Sequence, residues 1–486
     1  MPVIILIACW SLLYLPNLRT SPGWYGDETL THHTSLNLAS GKSSNLALYN
    51  TFWHPHYPYQ PAYSLVNGIF ARIAGGDIIG SRFFNSLLAL AAAFSIFILG
   101  RRSFGVRAAY FSALMFLTYT QTIIHFRMSY AHNAAGLGLL LMTLFLLRHA
   151  SKKNDWLAGV GLMIAAGSHP LFVHGAVSAF LSRLLHPRSW FRMAIPSAIY
   201  LIASMGLIYF IFGNWLLEDL AHLKATFSSR GDQDGGGVRG LQNFWNFISQ
   251  DWYHLGMLAG LLMCLKLRKF AAPLVGILVL FLLVRNRQNL VLFYYQAIVI
   301  LPVLCLGWAG LWRFCETQIR HRAPRVRGAV HAFWLLPTIL FLSALPLSLK
   351  GSFMPRNQYW VTQSTSEVEA AAKWLNERTT ASDVVAGNAN IAWLLKAQTS
   401  PYLQMITWYG YPTQGYENGN QRERFRFDAS LENSKYAVIG DIDKVWTFHE
   451  PNVAFLLKKK QSGKWTVVWE GEYYTILQNP RFPSSP

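Results

Sequence analysis

Two adjacent carboxylates, Asp27 and Glu28, follow shortly after the first apolar run of the chain, Val3 to Leu15, and are introduced by Gly23-Trp24-Tyr25-Gly26. An ionised side chain costs several kcal/mol to bury in hydrocarbon, so an acidic pair just beyond a membrane-like run belongs at the water–lipid boundary. There Asp27 can take a proton from a hydroxyl, as a general base acting on a substrate that lives in the membrane. A plainer role competes, because Asp and Glu are favoured in the first turn of a helix and one starting near Thr29 would be capped by them. Glu28 could instead orient an acceptor or bind a cation. Histidines crowd the same part of the sequence: His32, His33, His54, His56, His125, His132, His169 and His174. Imidazole and carboxylate suit zinc or manganese, so a divalent metal could be held here. The His-Xaa3-His spacing of a helical metal site is missing, which favours histidines that line a pocket, and the proton chemistry itself requires no cofactor.

The chain that must position these residues is 486 residues long, 52% hydrophobic and only 13% charged. A soluble domain carries about 25% charged residues. With a mean hydropathy of +0.23 the class is an α-helical polytopic membrane protein. The four cysteines, Cys9, Cys264, Cys305 and Cys315, have neither disulfide-framework nor zinc-finger spacing. The N-terminus lacks a basic leader and a small-residue cleavage site, so it reads as an uncleaved first span.

About eleven spans can be read against the ~20 residues that a crossing needs. They cover 3–18, 82–100, 108–125, 132–147, 156–168, 171–185, 191–213, 252–267, 271–284, 290–312 and 329–349. The formal charge of +19 is concentrated in alternate loops: Arg101, Arg102 and Arg107; Arg148, Lys152 and Lys153; Arg183, Arg188 and Arg192; Lys266, Arg268 and Lys269; and the arginines from Arg313 to Arg327. The positive-inside rule puts these loops in the cytoplasm. The charge therefore encodes orientation, and nucleic acid is not an expected partner. The rule places the N-terminus inside a plasma (inner) membrane, and it places 19–81, the 214–251 loop and the C-terminus outside.

Within the first outer segment, Leu30 to Leu38 shows helical apolar spacing with Thr and His on the other face, the pattern of an amphipathic helix lying in the interface. The stretch Phe52-Trp53-His54-Pro55-His56-Tyr57-Pro58-Tyr59-Gln60-Pro61 is too proline-rich for a regular helix, and its aromatics suit the headgroup layer. A second helix is expected over about 62–74. The 214–251 segment reads as a loop, with a flexible glycine run after Arg230 that lacks the Lys and Ser/Thr of a phosphate-binding loop. From 353 to 486 the composition becomes that of a small soluble α/β domain. It has an amphipathic helix at 366–378, short buried strands at 384–386 and 436–439, and a closing strand pair at 465–469 and 473–477. The first domain is then the 1–352 membrane domain. No internal repeat is visible.

The order of these features resembles a known family. A span, an Asp-Glu pair, an amphipathic helix, a His-Pro-rich aromatic loop and a second helix are followed by a span ending in Gly100-Arg101-Arg102-Ser103-Phe104-Gly105. That order is similar to the GT-C glycosyltransferases of the protein mannosyltransferase and aminoarabinose transferase type. The resemblance implies a GT-C fold, a polyprenyl-phosphate sugar as donor, and an exported lipid, glycan or protein as acceptor. It also implies an inverting transfer on the outer face with Asp27 as base and Glu28 as its neighbour. His54, His56 and Tyr57 would line the sugar pocket. A departing phosphate needs cations, for which Arg127 is the first candidate, with His125 and His169 assisting. Arg285 and Arg287 are a second outer pair, and Arg72 and Arg82 weaker ones. The chain departs from the family at Arg127-Met-Ser-Tyr-Ala-His132-Asn133, where a second acid is common, and at His169-Pro170, where a lysine is common. Two other classes compete: a transporter or flippase of a lipid-linked sugar, and a non-catalytic envelope assembly protein. A transporter would want charges at mid-membrane and repeat symmetry; here polar residues gather toward one face.

Overall fold

The computed structural model describes residues 1–40, 47–48, 52–53, 61–169, 173–184, 186–229, 245, 249, 251–265, 301–320, 332–353, 364–387, 389–410, 422–440, 443 and 451–482. The expected span 271–284 and the first part of 290–312, up to 300, lie outside these residues, as do the glycine run after Arg230, and His54, His56, Tyr57, Arg285 and Arg287.

The helices of the first half are α1 (Pro2–Tyr14), α2 (Gly26–Ala39), α3 (Pro61–Ile73), α4 (Ile78–Phe104), α5 (Val106–Thr118), α6 (Thr120–Phe126), α7 (Ala131–Leu146), α8 (Lys152–Ala166), α9 (Val173–Ser182), α10 (Pro187–Phe212) and α11 (Asn214–Ser229). They are followed by α12 (Trp252–Leu265), α13 (Leu306–Arg320) and α14 (Leu335–Lys350). Among the described residues α4 and α10 are each long and apolar enough to cross a bilayer alone. The expected span 108–125 is broken: Tyr119 takes an extended conformation between α5 and α6. After that break α6 and α7 meet at 119°. The expected loop 214–251 begins as a helix, since α11 continues from α10 after a single glycine, Gly213, at φ +55°.

The bundle has two distinct ends. Asn133, near the start of α7, donates to Asn85, near the start of α4, at 2.9 Å, so both helices begin at one end. At the other end Arg313 donates to the Phe104 carbonyl at 2.9 Å, and Arg183 to that of Arg148 at 3.3 Å. The arginine-rich turns thus share an end opposite Asp27. Between the ends, one apolar core joins α1, α4, α5, α7, α12, α13 and α14. Small residues bring helices close: a Cβ on Gly260 of α12 would stand 1.8 Å from the Gly307 carbonyl of α13, a packing that membrane helices use where no hydrophobic drive exists between them.

The C-terminal unit is a five-stranded mixed sheet of order β4-β3-β5-β7-β6. Before it stand β1 (Ala47–Leu48) and β2 (Phe52–Trp53), a small antiparallel pair in the first outer segment. Strands β3 (Val384–Gly387), β4 (Gln398–Pro401) and β5 (Ser434–Gly440) run parallel, and β6 (Thr466–Glu470) and β7 (Tyr474–Gln478) complete it antiparallel. Helix α15 (Thr365–Arg378), capped by the Ser364 hydroxyl, covers one face through Val368, Ala371 and Leu375. This sheet docks on the Asp27 end. Arg424, fully buried, donates to Asp219 of α11 at 2.9 Å, pairs with Glu218, and lies over the Trp215 ring at 5.3 Å.

Candidate active site

Helices α2 and α3 pack side by side in parallel, Gly68 against Ser35 and Arg72 against Ala39, and their burial is the reverse of a soluble amphipathic pair. The buried residues of α2 are Glu28, Thr29, Thr31, His32, Ser35 and Asn37, while Leu30, Leu36 and Leu38 are half-buried. In α3 the buried face holds Tyr63, Ser64, Asn67, Gly68 and Ala71, and Leu65, Val66, Ile69 and Ile73 are exposed. The expected amphipathic helices exist, but it is the polar stripe that faces protein. Its groups satisfy one another: Asn67 donates to Ser35 at 3.1 Å, and Tyr63, Asn85, Ser129 and Asn133 continue the network into α4 and α7. Close approach makes this feasible. Gly68 sits where a Cβ would be 1.9 Å from the Ser35 carbonyl.

The two carboxylates at the head of α2 have opposite fates. Glu28 is fully buried and receives the Arg82 guanidinium on both oxygens, at 2.7 Å each, and the Ser129 N–H at 2.8 Å. Arg82 also donates to the carbonyls of Leu18, Arg19, Pro22 and Gly23, which ties the approach to α2 onto α4. Glu28 thus anchors the head of α2 on α4, with both of its oxygens held by hydrogen bonds. Asp27 points the other way. It is exposed in the first turn of α2 and accepts the Tyr25 hydroxyl at 3.0 Å.

Arg127 also differs from expectation. Its guanidinium donates to the carbonyls of Ser21 (2.8 Å), Leu13 (2.9 Å) and Pro16 and to the Ser348 hydroxyl, with the Phe353 ring 5.0 Å away. It is fully buried. A guanidinium committed to main-chain carbonyls is not offered to a phosphate, nor does it snorkel to headgroups; it stitches the turn after α1 to α6 and α14. Arg82 is excluded from the phosphate role on the same grounds, and Arg72 closes α2 by donating to the Ala39 carbonyl at 3.0 Å.

The histidines divide into two groups. His132, on the first turn of α7, and His169, just past α8, come together with ring centroids 4.0 Å apart. The Tyr130 ring stands edge-on to His132 at 5.8 Å and to Tyr25 at 6.0 Å. A continuous wall of rings thus runs from the residue bonded to Asp27 across to the end of α8. His125 is buried on α6 behind it. His32 lies on the opposite side of α2, where its Nδ1 accepts from Ser81 at 2.8 Å and its Nε2 donates to the Gly76 carbonyl at 3.1 Å. Burial, helped by neighbouring His33, pushes the His32 imidazole down to about 4. Among the described residues no three His, Cys, Asp or Glu side chains gather as a metal would need. Tyr25 and Tyr130 escaped the reading of the sequence, although each stands within two residues of a flagged position.

Residues 54–172 match the family model of the dolichyl-phosphate-mannose-protein mannosyltransferases, a stretch that begins after Asp27 and spans about a quarter of the chain. No curated protein sequence matches. Among solved structures, ArnT from Cupriavidus metallidurans bound to undecaprenyl phosphate superposes over 100% of this chain and 98% of its own, with TM-score 0.66 and 13% identity. The Archaeoglobus fulgidus oligosaccharyltransferase complexed with Zn and sulfate gives TM-score 0.56 at 12% identity, over 99% of this chain and 73% of its own. The AglB oligosaccharyltransferase of the same organism, with an inhibitory peptide and a dolichol-phosphate, gives TM-score 0.54 at 11% identity, over 92% and 70%. The chain thus shares the fold of these solved structures over its whole length, and residues 54–172 resemble the mannosyltransferase family model.

Proposed function

We propose that the protein moves a sugar from a polyprenyl-phosphate donor to a hydroxyl of an exported lipid, glycan or protein, with inversion, and that Asp27 is the general base. One observation carries this reading: of two neighbouring carboxylates, Glu28 is consumed by Arg82 and Ser129 while Asp27 stays exposed beside a wall of aromatic and imidazole rings. The acceptor oxygen attacks the anomeric carbon as its proton passes to the Asp27 carboxylate. The bond from that carbon to the phosphate oxygen breaks, and the lipid phosphate leaves with the electron pair. Negative charge at Asp27 also favours the oxocarbenium character that develops at the sugar. Tyr25, Tyr130, His132 and His169 offer flat faces for the C–H side of a sugar and ring nitrogens for its hydroxyls. With Arg127 and Arg82 committed elsewhere, Arg285 and Arg287 are candidates for the leaving phosphate, with His125 and His169 assisting.

The half-exposed leucines of α2 and the exposed apolar residues of α3 support a site at lipid depth. The arginine-rich turns at the far end support a cytoplasmic side there, and hence an outer position for Asp27. The reading calls for no nucleotide, since a lipid phosphate is already a leaving group, and for no resident metal. It is favoured over a transporter because, among the described residues, the ionisable groups cluster at the two ends of the bundle and not at its middle.

The test is Asp27→Asn in membranes supplied with a labelled polyprenyl-phosphate sugar. Transfer should fall about 100- to 10,000-fold, the usual worth of a positioned base, while thermal unfolding in detergent stays at the parental temperature. Parental transfer by the variant would defeat the assignment. Mass spectrometry of surface glycans and lipids in a deletion strain identifies the sugar and the acceptor.

A further inference from the structure

The C-terminal sheet domain meets the face of α2 opposite Asp27 with Trp393. Trp393 makes edge-to-face contacts with Trp24, just before α2, at 5.1 Å and 75°, and with His32, within α2, at 5.2 Å and 82°. Trp24 is fully buried, and its indole N–H reaches back to the Arg19 carbonyl at 2.9 Å. Arg19 itself joins three bodies. It donates to Asp77, the residue that caps α4, at 2.7 Å; it pairs with Glu369 of α15; and it lies over the Trp24 ring at 5.6 Å. The segment that delivers Asp27 is therefore clamped from one side by α4, through Arg82 and Asp77, and from the other by the sheet domain, through Trp393 and Glu369.

We infer that Trp393 is a positioning residue for transfer: the C-terminal domain sets the angle of the first turn of α2, and so the direction in which the Asp27 carboxylate meets the acceptor hydroxyl. The inference rests on Asp27 being the base. Its physical logic is leverage. Trp24 and His32 flank Asp27 in sequence, three residues before and five after, so loosening their shared support lets the turn between them rock. A misplacement of about 1 Å in a reacting geometry can cost 100-fold in rate. The indole N–H of Trp393 is buried with no hydrogen-bond partner among the described residues, so ring contact, not hydrogen bonding, fixes it. That makes a sharp distinction between replacements: phenylalanine keeps an aromatic face and forfeits no hydrogen bond, whereas leucine keeps apolar bulk and forfeits the edge-to-face geometry.

The experiment compares Trp393→Phe, Trp393→Leu and Trp393→Ala with Asp27→Asn in the full-length protein, using a labelled polyprenyl-phosphate sugar and a saturating acceptor. Trp393→Leu should lower kcat about 10-fold and Trp393→Ala more, with KM for the donor within a factor of two of the parent, while Trp393→Phe restores most of the rate. Should the alanine variant fail to fold, the leucine variant decides. Parental kcat in the leucine variant, a loss confined to donor KM, or a phenylalanine variant as slow as the leucine one would each overturn the inference. Asp27→Asn separates the two ideas. If it transfers at the parental rate the base assignment is wrong, whereas an inactive Asp27→Asn beside a fully active Trp393→Leu leaves the base in place and removes only the positioning role.

Discussion

The two ends of the bundle solve the same problem, a buried carboxylate among arginines, with different arithmetic. At the basic end Asp155 is buried and shared by Arg183 (3.5 Å), Arg192 (3.6 Å) and the Ser189 hydroxyl (2.8 Å). Arginines outnumber acids there, and the surplus, as at Arg101 and Arg102, is left to solvent. At the other end the two neighbouring acids of α2 are placed differently. Arg82 takes Glu28, Arg127 is spent on carbonyls, and Asp27 is exposed in the first turn of α2, where it accepts the Tyr25 hydroxyl. The difference is what matters. Excess cation marks one end, and at the other the exposed carboxylate is the one proposed to do proton chemistry.

The sharpest way to break this contrast is to remove the charge that the structure needs. Glu28→Gln would leave the Arg82 guanidinium, fully buried, without its counter-charge. Breaking such a pair from one side costs about 3–5 kcal/mol. The variant should be recovered in low yield and should unfold well below the parent in a detergent thermal melt. Asp27→Asn, one position earlier, should not shift the melt. Equal stability in the two variants would erase the distinction between structural and working carboxylate.

A smaller effect tests the close approach that lets α2 and α3 bury polar faces. In Gly68→Ala the added Cβ would collide with the Ser35 carbonyl, a main-chain atom that cannot rotate away. Overpacking of this kind costs about 1–3 kcal/mol. The Asn67–Ser35 hydrogen bond should be lost with it. A melt at the parental temperature would mean that the two helices slide apart without penalty and that the polar web is not what joins them.

Much of this architecture was legible in the residues and some was not, for identifiable reasons. Helix α4 announced itself because a long apolar stretch with basic residues only at its end has one cheap conformation in lipid. The closing strands β6 and β7 were equally plain in Trp465-Thr-Val-Val-Trp and Tyr473-Tyr-Thr-Ile-Leu, where β-branched and aromatic residues cluster. Strand β4, Gln398–Pro401, has no such enrichment and is a strand only because β3 offers it a parallel edge. The two stripes of α2 were legible in its spacing, but the partners of its Thr and His face were not, because they come from α3 and α4. The division of labour between Asp27 and Glu28 was out of reach, because Arg82 is 54 positions from Glu28 and only the fold brings them together. Arg127 misled for a related reason: arginine suits phosphate and clustered carbonyls alike, and nothing local shows that Leu13, Pro16 and Ser21 converge on it.

The mildest of the expected effects concerns acidity, and it bears on the joint between α2 and the sheet domain. His32 is buried against Ser81, Gly76 and Trp393, with His33, Asp77 and Arg82 as its charged or titratable neighbours. Burial lowers its folded value to about 4, whereas in the unfolded chain it titrates near 6.5. Between those values the unfolded state holds the extra proton, so stability rises with pH. The contribution is complete above about pH 6.5, declines as pH falls toward 4, and declines no further below that. The whole window is worth on the order of 1–3 kcal/mol at most. Unfolding midpoints measured from pH 7.5 to 4.5 should therefore drop more steeply in the parent than in His32→Gln, whose amide can occupy the same two hydrogen bonds without titrating. Parallel curves would show that the imidazole is protonated in place at little cost, and that the α2 joint is softer than its two hydrogen bonds and its ring contact imply.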